Sequence, residues 1–214
     1  MNKRVLSSTF LWLFIGLLIT FVTAYLVSTN QDMVLNIFTG WTYYLLIIAE
    51  VGIAIFLSVR IWKLKGVTAT CLYIFYTFLT GLTLSSIFLV YKLSSLIFIF
   101  LVAAVLFGIF GLIGKFTKID LSKLGVFLVM GLIGVILINI INIFVMNHTL
   151  NIISCVIALI VFLGYTAYDI QRIKRMADTN LPERNIAIIG AFSLFLDYIN
   201  IVVHLLNLIG DSRR

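Results

Sequence analysis

The feature that most constrains this chain is its last long apolar stretch, residues 185–209, which combines the length of a membrane span with a line of polar side chains. About 20 apolar residues cross the hydrocarbon core of a bilayer as a helix. The polar side chains recur every three or four residues, so they share one helix face. Lipid cannot solvate such a face, and we therefore expect the other helices to surround this one. The polar residues are Ser193, Asp197, Asn200, His204 and Asn207.

The rest of the chain is almost as apolar and is organised into further runs of membrane-spanning length. Hydrophobic residues make up 63% of the chain and charged residues 11%, with a mean hydropathy of +1.20. A soluble domain carries about 25% charged residues, and a membrane β-barrel shows alternating segments of about 10 residues, so an all-α integral membrane protein is predicted. We expect one transmembrane domain over residues 1–214, with a polar loop at 28–41 and seven helices at 6–27, 42–62, 66–90, 96–114, 124–146, 150–169 and 185–209.

The basic residues are distributed unevenly between the two sides of these predicted spans. Twelve of the 15 Lys and Arg residues fall on the side that holds the N-terminus, while Lys92, Arg213 and Arg214 fall on the other. Cytoplasmic loops carry such an excess, so we expect a multi-pass protein of the cell membrane with its N-terminus in the cytoplasm and its C-terminus outside. The net charge of +7 follows this topology. We therefore expect no nucleic-acid binding, although a basic soluble protein would suggest it.

Two aspartates are the leading functional candidates. Asp169 closes the sixth predicted span, and Asp197 lies about 12 residues into the seventh, roughly 18 Å along a helix. If the chain turns near residues 179–182, the two carboxyls differ by only about 7 Å of rise and can approach each other. Two carboxyls in one low-dielectric site cannot both ionise cheaply, so such a pair titrates as a unit and is a pH sensor. Two separately satisfied aspartates, one reaching the cytoplasmic face, are an equally good alternative.

Two other charged residues need an account. Arg60 ends the second predicted span on the same side as Asp169, so it can act as a latch on that carboxylate. An ordinary basic flank is the alternative that spacing favours. Glu50 lies ten residues earlier, about 15 Å deeper. An acid at that depth indicates an ion path, a proton relay or a hydrogen-bonded partner, and Glu50 and Asp197 together can line one polar interior.

Further polar residues can line the same interior. For the two asparagines of the fifth span, hydrogen bonding between helices is an equal alternative, and for the histidine of the seventh span the alternative is a hydrogen-bonded core residue. Carboxylates are the hard oxygen ligands that suit Ca²⁺, so the aspartate pair is a candidate for transient calcium binding. Calcium ions and protons are then the expected partners, with no cofactor. The candidate lining residues are Asn139, Asn142, Asn200 and His204.

Small side chains inside the spans have simpler explanations. Cys71 and Cys155 lie in separate apolar segments, where such residues are usually small hydrophobes, and we expect no resident metal site of the zinc type. Glycines recur at short intervals in the fourth and fifth spans, which predicts close helix packing. These glycines are Gly108, Gly111, Gly114, Gly131 and Gly134.

Several stretches, taken in order, resemble the Bax inhibitor family, the transmembrane Bax inhibitor motif proteins. The paired motif is YDIQRI at residues 168–173 followed by LFLDYIN at 194–200. Three others match in order: AEV at 49–51, TGLTL at 80–84 and GKFTKIDLS at 114–122. Each motif alone is weak, but together on a seven-span chain they are specific. The chain is thereby identified as a bacterial member, although it has Ser86 where many members have proline.

The resemblance implies a seven-helix fold whose last helix is surrounded by six others. It also implies a calcium leak regulated by pH through an aspartate pair. Carried over by motif, the pair is Asp169 and Asp197, the latch is Arg60, and the acid of the ion path is Glu50. We expect no enzymatic activity.

Two other functions compete with this one. Bacterial members of the family include a modulator of a membrane-bound protease, so a regulatory role through a membrane partner is the alternative function. An intramembrane aspartyl protease also needs two acids that share a proton. Such enzymes have a Gly-x-Gly-Asp motif on the later helix, whereas here the residues before Asp197 are Phe195 and Leu196.

Overall fold

The computed structural model describes residues 3–179 and 181–211 and consists almost entirely of α-helices. Within those ranges seven helical segments are long and apolar enough to cross a membrane. The predicted class, an all-α integral membrane protein, is therefore confirmed. Arg213 and Arg214, which entered the prediction of orientation, lie outside the described residues.

The helices follow one another with short connections. A short 3₁₀ turn follows α3 and another precedes α7. The third span consists of α4 and α5 together, and α2 is too short to cross a membrane. In chain order the helices are α1 (Lys3–Ser28), α2 (Gln31–Phe38), α3 (Trp41–Arg60), α4 (Gly66–Leu84), α5 (Ile87–Val90), α6 (Leu93–Phe116), α7 (Leu124–Val145), α8 (His148–Met176) and α9 (Glu183–Ile209).

The segment predicted as a polar loop between the first two spans contains α2. Asn30 caps this helix, since its side-chain oxygen accepts a hydrogen bond of 3.2 Å from the Met33 amide. Asp32 lies in the first turn, where an acid interacts favourably with the helix dipole. Val34 is buried while Met33 and Leu35 are exposed. The cap and the burial of Val34 thus stabilise a short helix within a connection whose sequence is mostly polar.

The third span is interrupted between α4 and α5, although no proline is present there. The Ser85 hydroxyl donates to the Leu82 carbonyl at 2.7 Å, and the Ser86 hydroxyl donates to the Thr83 carbonyl at 3.2 Å. Serine side chains that bond to preceding carbonyls compete with the helical ladder. The two serines therefore accompany a break of the kind that proline produces elsewhere.

The chain divides into two compact units. The first contains α1 to α5 and the first half of α9, through Phe195. In it α4 packs closely on α1: the Thr20 hydroxyl donates to the Thr77 carbonyl at 2.8 Å, and the Tyr73 hydroxyl donates to the Trp12 carbonyl at 3.0 Å. A Cβ added at Gly81 would lie 2.8 Å from the Thr20 carbonyl oxygen, so only glycine permits this approach.

The second unit contains α6, α7, α8 as far as Arg175, and α9 from Leu196 to its end. A Cβ at Gly114 would collide with the Ala167 carbonyl group, and one at Gly131 would lie 2.7 Å from Val161. Close packing is thus confirmed at these two glycines. It is wrong for Gly108 and Gly134, where a Cβ would meet nothing within 4 Å among the described residues.

The most buried of the spans is α9. Of its most apolar segment 72% is buried, against 44% or less in each of the other six. This burial agrees with the hidden polar line in its sequence, because a helix surrounded by protein does not need an apolar face for lipid. Its position at the centre of six other helices stays a prediction.

Candidate functional site

Two buried aspartates of the second unit lie close to each other. Asp169 on α8 is 5% exposed and Asp197 on α9 is 4% exposed. The carboxylate of Asp169 is near enough to act electrostatically on that of Asp197. The two carboxyls are thus within electrostatic range of each other, and that they act as one pair, rather than as two separately satisfied aspartates, stays a prediction.

The register of α8 and α9 explains this proximity. The imidazole of His204 stacks on the ring of Phe162, with 6.0 Å between centroids and 21° between planes. Phe162 precedes Asp169 by seven residues, and His204 follows Asp197 by seven. In two antiparallel helices, seven residues forward along one and seven residues backward along the other cover the same distance in the same direction. A contact between Phe162 and His204 therefore places Asp169 and Asp197 at the same height along the helix axes. The connection between the two helices thus places both carboxyls at one depth.

The partners of the two aspartates differ. Arg172, one turn beyond Asp169 on α8, forms an ion pair with it, with Nη1 at 3.7 Å from Oδ1. Asp197 Oδ2 is buried and has no hydrogen-bond partner in the described part of the chain. The Tyr165 side chain lies within electrostatic range of both carboxyls. Asp169 therefore has a cation beside it, whereas one oxygen of Asp197 has no hydrogen-bond partner among the described residues.

Sequence reasoning missed Arg172 and Tyr165. Both are recognisable, since they lie three residues after and four residues before Asp169, on the same face of a helix. The sequence predicts a sixth span that ends at residue 169 and a charged connector at 171–184, the first half of which can continue the helix outward, and Arg172 lies in that half. In the structure α8 continues to Met176.

Arg60, the predicted latch, is the last residue of α3 and is exposed. It belongs to the first unit, whereas Asp169 belongs to the second. The role of Arg60 as a latch stays a prediction.

Glu50 has a well-defined environment in the first unit. Its Oε1 accepts a hydrogen bond of 2.8 Å from the Thr80 hydroxyl, and its Oε2 accepts one of 2.7 Å from the Thr83 hydroxyl. Both threonines lie on α4, so the carboxyl joins α3 to α4. Of the three alternatives for an acid at this depth, the structure supplies the hydrogen-bonded partner. A role in an ion path stays a prediction, as does a polar interior shared with Asp197.

The four candidate lining residues have mixed surroundings. Asn139 accepts a hydrogen bond of 2.7 Å from the Ser154 hydroxyl, which joins α7 to α8 as the interhelical alternative expected. Asn142 accepts one of 2.9 Å from the Asn147 amide in the turn between these helices. Asn200 donates to the Leu196 carbonyl on its own helix at 2.8 Å. The buried Nδ1 of His204 has no hydrogen-bond partner among the described residues.

The cytoplasmic end predicted for α8 is held to the loop before α7. Gln171 accepts from the Leu121 amide and donates to the Ile119 carbonyl, both at 2.8 Å. The Lys174 ammonium donates to the Lys115 carbonyl at 2.7 Å. In the same loop, hydrogen bonds from the side chain and backbone of Ser122 lower the pKa of Asp120 below its usual value. The loop that contains the family motif at 114–122 thus holds α8 at Gln171, two residues after Asp169.

Metal-binding side chains are not clustered in this part of the molecule. Over residues 3–179 and 181–211, no three or more His, Cys, Asp or Glu side chains are grouped so that they can hold a metal ion. Cys71 is exposed and Cys155 is buried, and both are free thiols.

Comparison with known proteins agrees with the fold and the motifs. The family model described as "Inhibitor of apoptosis-promoting Bax1" matches residues 2–214. An uncharacterized protein of Borreliella burgdorferi is 35% identical over 219 residues, covering 100% of this chain and 94% of the relative. The inner membrane protein YbhL of Escherichia coli K12 is 38% identical over 210 residues, covering 94% of this chain and 89% of the relative. With helices that can span a membrane and a match along almost its whole length, the chain belongs to the Bax inhibitor family of membrane proteins.

Proposed function

We propose that this protein is a pH-sensitive calcium leak channel of the cell membrane, with Asp169 and Asp197 as its sensor. The observation that carries the proposal is the burial of both carboxyls within electrostatic range of each other. Acids at membrane depth are costly and are usually retained for ion or proton movement. Glu50, the predicted acid of the ion path, differs in that each of its oxygens accepts a threonine hydrogen bond.

Protons and calcium ions compete for the same carboxylate oxygens in this mechanism. Two carboxylates supply fewer ligands than the six to eight oxygens of a stable Ca²⁺ site, which suits an ion that enters and leaves. A change in pH alters the charge of the pair as a unit and with it the attraction for a cation. Arg172, at 3.7 Å from Asp169, supplies a fixed positive charge beside the pair. The proposal includes Arg60 as a latch, that is, as a cation that binds the Asp169 carboxylate.

The proposed orientation has the N-terminus in the cytoplasm and the C-terminus outside. It is supported by the excess of basic residues on the N-terminal side of the spans. With this orientation, the end of α8 that contains Asp169 faces the cytoplasm, together with the loop before α7 to which Gln171 and Lys174 bond. The similarity to a bacterial inner membrane protein supports the cell membrane as the location.

The proposal is tested with purified protein in liposomes that contain a calcium-sensitive dye. We expect calcium entry that depends on pH, because two neighbouring buried carboxyls change their charge as a unit. Asp197→Asn keeps the size of the side chain and removes its charge, so the dependence of flux on pH should disappear. Asp120→Asn is the matched control, because Asp120 is an exposed aspartate of the same unit. It should leave the pH profile unchanged.

Two results contradict the proposal. One is the absence of calcium flux at every pH in liposomes that hold folded wild-type protein. The other is an Asp197→Asn profile that matches the wild type. Loss of flux combined with stable co-purification of a membrane protease would favour the regulatory alternative.

A further inference from the structure

The facing sides of α8 and α9 form a seam that leads away from the aspartate pair. On α8 it contains Asp169, Tyr165 and Phe162, which lie one turn apart in sequence. The ring of Phe162 contacts that of Tyr165, with 6.3 Å between centroids, and also stacks on His204. The seam therefore runs from the two carboxyls along α9 to His204, toward the end that is remote from the charged connection between the helices.

Two polar atoms of this seam are buried and have no hydrogen-bond partner within residues 3–179 and 181–211. They are Asp197 Oδ2 and His204 Nδ1. Seven residues separate them, so they lie on the same face of α9, about 10 Å apart along the helix axis. Asn200 lies between them on that face and is half-buried. A buried polar group without a hydrogen bond destabilises the folded protein, so two of them along one line need a common explanation.

Water is the partner that fits this line. Buried polar groups in proteins nearly always bond to protein or to internal water, and polar cavities hold water where apolar ones stay dry. A carboxylate oxygen accepts hydrogen bonds, and a neutral imidazole nitrogen can accept or donate. Both groups can therefore be satisfied by a short file of water molecules. An ion would find the same polar surface.

We infer that the α8–α9 seam is a water-filled passage from Asp197 to His204, with His204 at its mouth. The inference deepens the proposed function, because it supplies the half of the ion route that lies beyond the aspartate pair. In this arrangement His204 lies at the end of the passage. Its imidazole can form hydrogen bonds with water where the neighbouring residues are apolar. Leu205, the next residue on α9, is buried among other side chains and marks the dry side of the helix.

Accessibility of single cysteines measures the passage directly. In a Cys71→Ser, Cys155→Ala background, His204→Cys and Asn200→Cys are reconstituted separately in liposomes and treated with a small, positively charged methanethiosulfonate. The cysteine thiolate attacks the sulfenyl sulfur of the reagent, which forms a mixed disulfide and releases methanesulfinate, and the thiolate forms only where water reaches the sulfur. We expect both cysteines to react at least about tenfold faster than controls placed outside the passage.

Two control variants place the cysteine outside the seam, one in the packed core and one on the lipid-facing surface. Leu205→Cys lies in the packed core at the same depth, and Ile160→Cys lies on the exposed apolar surface of α8, where lipid surrounds the sulfur. If His204→Cys reacts as slowly as these controls, the passage does not exist. If His204→Cys does not fold, the Asn200→Cys rate decides the question by the same comparison.

The labelling experiment tests the passage independently of the proposed channel function. Fast labelling of the seam without calcium flux retains the passage and removes the leak channel. Calcium flux with slow labelling removes the passage and retains the channel, whose ions then follow another route.

Discussion

Glu50 in the first unit and Asp197 in the second are both acids inside membrane-spanning helices, yet their surroundings are opposite. Glu50 has a threonine hydroxyl on each oxygen, at 2.8 and 2.7 Å. Asp197 is more deeply buried, has a buried oxygen without a hydrogen-bond partner among the described residues, and lies near a second carboxylate. The same chemical group is thus bonded on both oxygens in one region and left incompletely bonded in the other.

This difference separates an acid that stabilises a helix pair from an acid that is free to bind something else. Neutral donors on a neighbouring helix satisfy Glu50 and tie α3 to α4, so its removal should cost stability. Asp197 is buried with one oxygen unpartnered among the described residues, so it carries a desolvation cost of the kind that proteins generally retain at functional sites. Substitutions at the two sites should therefore change the free energy of unfolding in opposite directions.

The largest loss of stability is expected at the cation beside the pair. Arg172→Leu leaves the buried Asp169 carboxylate without its nearby charge, and we expect a loss of about 2 kcal/mol in the free energy of unfolding in mixed micelles. This is less than for a fully buried pair, because the Arg172 side chain is 38% exposed. Arg175→Leu is the control one turn further on. Its partner Asp120 is 71% exposed, so the loss should be clearly smaller than for Arg172→Leu. Equal losses would show that burial does not distinguish the two ion pairs.

The next largest effect concerns Glu50. Glu50→Leu removes the acceptor for both threonine hydroxyls, and we expect a loss of about 1–2 kcal/mol in the free energy of unfolding. Thr83→Val should cost about 0.6 kcal/mol, the average for hydrogen bonds between membrane helices. A double-mutant cycle tests the contact itself, because the two losses should not add when Glu50→Leu and Thr83→Val are combined. Full additivity would mean that this hydrogen bond contributes nothing.

A smaller effect of opposite sign is expected for Asp197→Asn. The amide has nearly the same shape as the carboxyl but carries no charge into the low-dielectric interior. The free energy of unfolding should stay the same or rise by about 1 kcal/mol, measured in the same micelles. A loss of the size expected for Glu50→Leu would break the comparison, since Asp197 would then be held by stabilising contacts as Glu50 is.

The smallest effect is expected at Asp120, the exposed carboxylate of the loop that Gln171 holds. Hydrogen bonds from Ser122 lower the pKa of Asp120 in the folded protein. Its contribution to stability is therefore complete above the pKa of the unfolded chain, about 4, and disappears as the pH falls through the lower pKa of the folded state. Ser122→Ala removes the side-chain donor, so the pKa should rise toward its usual value in a carboxyl NMR titration. An unchanged pKa would leave the backbone hydrogen bond as its cause.

Much of the fold follows from local patterns. Runs of apolar residues identified all seven spans, because a helix in lipid must satisfy its own backbone and present apolar side chains. The hidden polar line predicted the burial of α9. The expected turn near residues 179–182 is consistent with Asp169 and Asp197 lying within electrostatic range of each other. The path of α8 beyond the membrane was less certain, because its last two turns are polar and resemble a loop.

Other features depend on contacts between residues far apart in sequence. No spacing rule reveals that Glu50 meets Thr80 and Thr83, since these residues are 30 and 33 positions away. Nor does spacing separate Gly114, which touches the backbone of α8, from Gly108, which meets open space. Both glycines have the same local sequence pattern, and only the neighbouring helix distinguishes them.

For this protein, the sequence by itself determined the membrane class, the seven spans, the family and the acids worth considering. These properties depend on hydrophobic periodicity and on motifs, which are local. Only the tertiary structure decided which acid is bonded and which is left incompletely bonded, because that depends on the donors that a neighbouring helix happens to supply. The register of α8 and α9, set by helix packing, puts Asp169 within electrostatic range of Asp197 and stacks Phe162 on His204.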